Sequence, residues 1–173
     1  MILDIVTYPD KRLKIISADV NCFDEELHTF LDDMYDTMIA SNGIGLAAIQ
    51  VANPIRALII NLPDEEGEQH KDELIEMVNP VLSHSKGTTI YQEGCLSIPG
   101  FYEDVERYEY VTVSYADRHG NEHILEADGL LSIAIQHEME HLEGHLFIEK
   151  LSYIRRKKFE KEYKKRAKAK KSA

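Results

Sequence analysis

The chain has 173 residues, 43% of them hydrophobic and 29% charged, with 20 Lys/Arg against 31 Asp/Glu and a formal net charge of −11. That suffices for one domain with a sizeable core, and the composition is that of an ordinary globular protein rather than a disordered or disulfide-stapled one. No apolar run approaches the ~20 residues of a membrane span, and the start, Met1 to Val6, lacks the basic and long apolar regions of a secretory leader.

Tyr8-Pro9 opens a turn. Asp24 is placed to cap a helix running to about Ala40, in which Leu27, Phe30, Leu31, Met34 and Met38 recur with the helical period and Asp32, Asp33 and Asp36 mark the outer face. Asn42-Gly43 ends it. Next comes Gly43-Ile44-Gly45-Leu46-Ala47-Ala48-Ile49-Gln50. Glycines on both sides of Ile44 allow close approach of another backbone, and Gln50 places an uncharged polar side chain at the end of an apolar run. A lone GxG fits a helix end and tight turn equally well, and it lacks the spacing of a dinucleotide-binding loop.

Ile55 to Asn61 reads as a buried strand, Pro63 to Gln69 as an acidic, solvated turn, and Leu74 to Val78 as a strand closed by Asn79-Pro80. Thr88 to Tyr91 is a further short strand, followed by Glu93-Gly94-Cys95-Leu96-Ser97. Tyr108 to Tyr115 alternates, and His123 to Ala127 pairs back on it across a turn at Asp117 to Asn121. Cys22 and Cys95 are the only cysteines. A reducing, cytoplasmic setting is the simpler expectation, because a disulfide would consume Cys95.

The chemistry centres on His137-Glu138-Met139-Glu140-His141, an HExxH pattern. At ~100° per residue, positions i and i+4 lie about 40° apart, so both imidazoles face one way and can bind one metal ion. Glu138 sits to one side, free to handle a proton. Asp128 is placed to cap this helix and Gly144 fits the position just past its end. Leu130, Ile133 and Ala134 share the histidines' stripe, and Leu131, Ile135, Met139 and Leu142 widen the apolar arc. The imidazoles therefore point inward. HExxH also arises by chance, but buried histidines and a buried glutamate without a metal need other partners.

A catalytic site of this kind needs a third protein ligand. The HExxHxxGxxH pattern holds as far as Gly144 and then fails at Phe147, with His145 two residues early. Glu160 and Glu162, the candidates on a following helix, lie in a lysine-rich, solvated segment. Upstream, Cys95 is either a small buried hydrophobe or a thiolate that completes a Cys-His-His set suited to Zn²⁺ or Fe²⁺.

The end of the chain differs from the rest. From Arg155 to Lys171 there are eleven Lys/Arg and two Asp/Glu, a net of +9; with −11 overall, the remainder carries −20. Such a segment is either a solvated helix end or a docking element for phosphate-rich RNA.

Together, GIGLAAIQ (43–50), EGCLS (93–97) and QHEMEH (136–141) resemble, in order and separation, the three motifs of the peptide deformylases. The resemblance extends from Tyr8-Pro9 to Leu151-Ser152. One departure is Glu140, where that family usually has Asp, which touches the hydrogen bonds behind the ligands rather than the ligands themselves. The resemblance implies a hydrolase that removes the N-formyl group from the terminal methionine of nascent peptides and releases formate. It implies one divalent metal per chain on Cys95, His137 and His141, Fe²⁺ by family association with Zn²⁺, Ni²⁺ or Co²⁺ as substitutes. Glu138 is then the general base and acid, and the Gln50 amide and Leu96 backbone N–H are the donors to the oxyanion. The Gly43-Ile44-Gly45 backbone and the stretch around Gly94 are placed to pair with an extended peptide. Ile44, Ile133 and Ala134 are placed to line a pocket for the methionine side chain.

The expected fold is α+β: short, mostly antiparallel strands around a central buried helix carrying HExxH, with a C-terminal helix. Residues 1–154 form the catalytic domain and 155–173 a basic tail, helical and then frayed, with ribosomal RNA as its candidate partner. Two rivals remain: another metallohydrolase built on HExxH, which Cys95 disfavours, and an RNA-binding protein with a structural metal. The latter needs a fourth ligand that the sequence does not offer.

Overall fold

The computed structural model describes residues 1–172; Ala173, the last residue of the expected tail, lies outside them. Among the described residues are helices α1 (Glu25–Ala40), α2 (Gly129–Leu142) and α3 (Tyr153–Ser172). The strands are β1 (Gly45–Ala47), β2 (Ala57–Ile60), β3 (Ile75–Lys86), β4 (Thr89–Cys95), β5 (Ile98–Arg107), β6 (Tyr110–Ala116) and β7 (Glu122–Asp128). They form a five-stranded antiparallel sheet ordered β1-β2-β3-β6-β7 and a separate β4–β5 hairpin. The fold is α+β. No helix among the described residues is long and apolar enough to cross a membrane.

The four residues of β2 are all buried because the sheet is covered on both faces there. Leu58 and Ile60 pack with Val111, Val113, Ala134, Ile135 and Leu142, the α2 side. Ala57 and Ile59 pack with Leu27, Leu31, Met34 and Met38 of α1. The period-2 alternation of a strand thus divides one short segment between two helices. Burying a Leu or Ile side chain contributes roughly 1.5–3 kcal/mol, so this layering is a main source of stability.

A third apolar cluster joins the two ends of the chain. Phe159 of α3 is 3% exposed and packs with Val6, Leu13, Ile98, Val105, Leu146, Phe147, Ile148 and Leu151. Tyr163 donates from its hydroxyl to the Tyr8 carbonyl at 2.8 Å. Tyr8 N–H donates to Ser97 O and Val6 N–H to Gln50 O, each at 2.7 Å. The basic helix is therefore seated on the N-terminal arm, and that arm is bonded to two of the sequence motifs.

Several expectations hold in detail. Asp24 caps α1 by accepting from Leu27 N–H at 3.1 Å, and Asp117 clamps the β6–β7 turn by accepting from His119 and Asn121 N–H. Others are corrected. Asn79-Pro80 does not close β3, which continues to Lys86. Asn79 takes up a left-handed φ of 51°, and its side chain bonds both polar groups of Val20. This absorbs Pro80 as a bulge in the pairing with β6. The expected Thr88–Tyr91 strand runs on to Cys95 and is paired by β5, a strand the sequence did not announce. Asp128 stands at the start of α2 but its side chain makes no capping bond. Gly144 does occupy the left-handed position after α2, at φ 77°, where a Cβ would lie 2.4 Å from Lys14 O.

Candidate metal centre and cleft

α2 is amphipathic in an unusual sense: its inward face carries the polar groups. His137, Glu138 and His141 are all buried, His141 to 1% exposure. The β4–β5 turn brings Cys95 over them. The ligand atoms of Cys95, His137 and His141 lie within 4.8 Å of one another. Cys95 Sγ is 3.5 Å from His141 Nε2.

The first motif reaches this centre from the sheet edge. After β1 the chain makes a 3₁₀ turn, Ala48–Val51. Ala47 N–H donates to Gln50 Oε1 at 2.9 Å, which leaves the amide nitrogen facing inward. Gln50 Nε2 donates to Ser97 Oγ at 3.0 Å and approaches Cys95 Sγ at 3.5 Å. Gly45 is required here, since a Cβ would lie 2.5 Å from Glu138 Oε2. At Gly43 a Cβ would meet Leu96 Cδ1 at 2.6 Å, and at Gly94 the Tyr102 ring at 2.6 Å.

These residues surround one cleft of about 480 Å³. Gly43, Ile44, Gly45, Gln50, Gly94, Cys95, Leu96, Ile133, Ala134, His137 and Glu138 all line it, with His141 beneath Cys95. Every residue singled out from the sequence as a ligand, catalytic group or substrate contact is therefore gathered at a single place.

From Glu93 in the cleft wall an ion-pair network runs back to Arg107 and Glu140, which the sequence does not announce. His137 Nδ1 bonds Glu93 Oε1 at 2.9 Å. The same carboxylate accepts two bonds from Arg107, Nε donating to Oε2 and Nη2 to Oε1, each at 2.8 Å. Arg107 pairs also with Glu140, and Glu140 Oε2 lies 3.7 Å from Lys150 Nζ. Arg107 and Glu93 are buried, so each charge needs its partners. Glu93 stands in the second motif, but Arg107 is 14 residues further on in the strand that was missed. A lone arginine at the end of an acidic stretch carried no signal of this role.

Electrostatics follow from burial and these bonds. Burial pushes the Glu138 carboxyl up to about 7. Burial also raises Glu93, but the hydrogen bonds from Arg107 and His137 outweigh it and hold it below the usual carboxylate range. For His137, burial is opposed by bonding to Cys95 and Glu93 and by the Glu138 charge, leaving it at about 10. His141 is driven well down by burial and by the positive charges of His137 and Arg107. These directions belong to the protein without a cation, which competes with the proton for imidazole.

The donor set fits a divalent metal. A cysteine sulfur and two imidazoles converge, Glu93 holds His137 by its other nitrogen in the usual manner of a ligating histidine, and Glu138 Oε1 is buried without a hydrogen-bond partner.

The model of the polypeptide deformylases matches residues 2–157. The chain belongs to the polypeptide deformylase family. A peptide deformylase of Nautilia profundicola is 61% identical over 98% of this chain and 97% of its own. A crystal structure of a peptide deformylase from Legionella pneumophila superposes with a TM-score of 0.87 at 40% identity, covering 98% of each chain. Another, a Met-Ala-Ser-bound deformylase from Acinetobacter baumannii, does so with a TM-score of 0.81 at 31% identity, covering 87% of this chain and 99% of its own.

Proposed function

We infer that this deformylase-family chain hydrolyses the N-formyl group from the terminal methionine of nascent peptides, in the cytoplasm, releasing formate. The observation that carries the reading is the convergence of Cys95, His137 and His141 in a cleft also lined by Glu138 and Gln50. A divalent cation held by Cys95, His137 and His141, Fe²⁺ by family resemblance with Zn²⁺, Ni²⁺ or Co²⁺ as substitutes, supplies the Lewis acidity that eases ionisation of a water.

The remaining work falls to the chain. Glu138 accepts the proton as water adds to the formyl carbon, then delivers it to the peptide nitrogen as the C–N bond breaks. The Gln50 amide, oriented by Ala47 N–H, and the Leu96 backbone N–H donate to the carbonyl oxygen as negative charge develops there. The Gly43–Gly45 backbone and the stretch around Gly94 take the peptide as an added strand, with Ile44, Ile133 and Ala134 around the methionine side chain. The body spanning 1–154 performs this reaction, and the basic segment 155–173 brings it to ribosomal RNA. The decisive assay is formate release from formyl-Met-Ala-Ser with and without a chelator. Chelator-sensitive release is expected; a metal-loaded protein that releases none would end this reading.

A further inference from the structure

The acidic turn before β3, which the sequence presents as plain solvated surface, contains one side chain that faces the cleft wall. Gln69 is half-buried, and its Nε2 donates to two backbone carbonyls at once, Gly43 O at 2.9 Å and Asn61 O at 2.7 Å. Gln69 is itself held from both sides. Asp64 accepts from Glu66 and Glu68 N–H at 2.9 Å each and bonds His70 Nε2 at 2.7 Å. His70 O accepts from the buried Asn61 Nδ2 at 2.9 Å. Pro63 and Gln69 are bridged through their backbones.

The segment that receives this support is otherwise held only through its backbone, with Gly43 N–H donating to Met38 O at 2.9 Å. It leaves α1 through Asn42 at φ 58°, crosses Gly43 and Ile44, and enters β1, the edge strand of the sheet. Gly43 has no side chain to pack, because a Cβ would collide with Leu96. Ile44 O accepts from Asn61 N–H at 2.8 Å. In an antiparallel ladder polar groups alternate sides, so Gly45, the next residue, turns its N–H and C=O away from β2. Gly45 lines the cleft. The register of Gly43 therefore sets where those free backbone groups point.

We propose that Gln69 is a positioning residue for the peptide: the Pro63–His70 turn, acting through the Gln69 amide, aims the open backbone edge of Gly43–Gly45 into the cleft. This rests on the deformylase reading, in which an extended peptide pairs with that edge. It extends the machinery to a turn that touches neither the metal ligands nor Glu138.

The test compares metal-loaded wild type with Gln69→Met, which keeps length and loses the donor. With formyl-Met-Ala-Ser, KM should rise about three- to tenfold, the range expected for one or two lost hydrogen bonds, while kcat and bound metal stay within about twofold. With formyl-methioninamide, which has no residues to pair beyond the first, KM should change less than about twofold. Amide hydrogen exchange at Gly43 and Asn61, whose N–H groups donate to Met38 O and Ile44 O, should accelerate in the variant, a readout independent of turnover. An unchanged KM for the longer peptide, an equal change for both substrates, or unaltered exchange would overturn the assignment. Failure of wild type to release formate would instead reject the deformylase reading and leave the exchange result to judge the strut.

Discussion

At Gly45 the missing side chain matters as much as any present, because the space its Cβ would fill is taken by the Glu138 carboxylate, 2.5 Å away. Gly45→Ala should therefore push that carboxylate aside without disturbing the core. Misplacing a reacting group by ~1 Å costs on the order of 100-fold, so kcat should fall at least about tenfold with metal content and melting temperature nearly unchanged. Glu138→Gln probes the same carboxylate by chemistry rather than position. The amide fills the space but cannot take the proton, and a loss of roughly 10²–10⁴ in kcat is expected with metal retained. Metal analysis beside the kinetics checks both; parallel loss of metal and activity would remove Glu138 from the role assigned here.

Between elements, Glu140 links α2 to β5 through Arg107 and to the turn Phe147–Lys150 through Lys150. Glu140→Asp shortens the arm and gives up chiefly the long contact to Lys150, which is 43% exposed and 3.7 Å away. Such pairs contribute about 0–1 kcal/mol, so thermal melts and kcat should barely move. A large loss would show that Arg107 cannot follow the shorter side chain. Phe159→Ala removes the anchor that seats α3 and should cost about 3–5 kcal/mol, seen by denaturant unfolding. The same scale shows what was readable in advance. α1, α2 and the β6–β7 hairpin announce themselves through caps, periodic apolar residues and a Gly-containing turn. β5 does not, since Pro99-Gly100 interrupts it and Glu103, Asp104 and Glu106 are poor strand formers. Its structure comes from pairing with β4, a long-range fact no local window contains. For that reason the cleft residues were legible and the Glu93–Arg107 support behind them was not, and Gln69 was hidden among glutamates.

Across the whole molecule, charge is segregated: α3 carries eleven of the twenty Lys and Arg against a body of opposite net sign. If its exposed lysines meet RNA phosphates, replacing Lys161, Lys164 and Lys165 with Gln should leave activity on a free peptide intact. It should also lower the salt dependence of ribosome association by about 0.7–0.9 log units per lost contact. An unaltered salt slope in sedimentation assays would place the contact elsewhere. The seating of α3 has a further consequence, in time rather than space. Tyr8 is bonded on one side to Ser97 and on the other to Tyr163, and the neighbouring Val6 to Gln50. Tyr163 follows all of these in the chain, so while the protein is being synthesised the clasp over Tyr8 stays open after every cleft residue has emerged. The last contact to become available is therefore the one between the two ends of the molecule, and it closes over a cleft whose residues are already made.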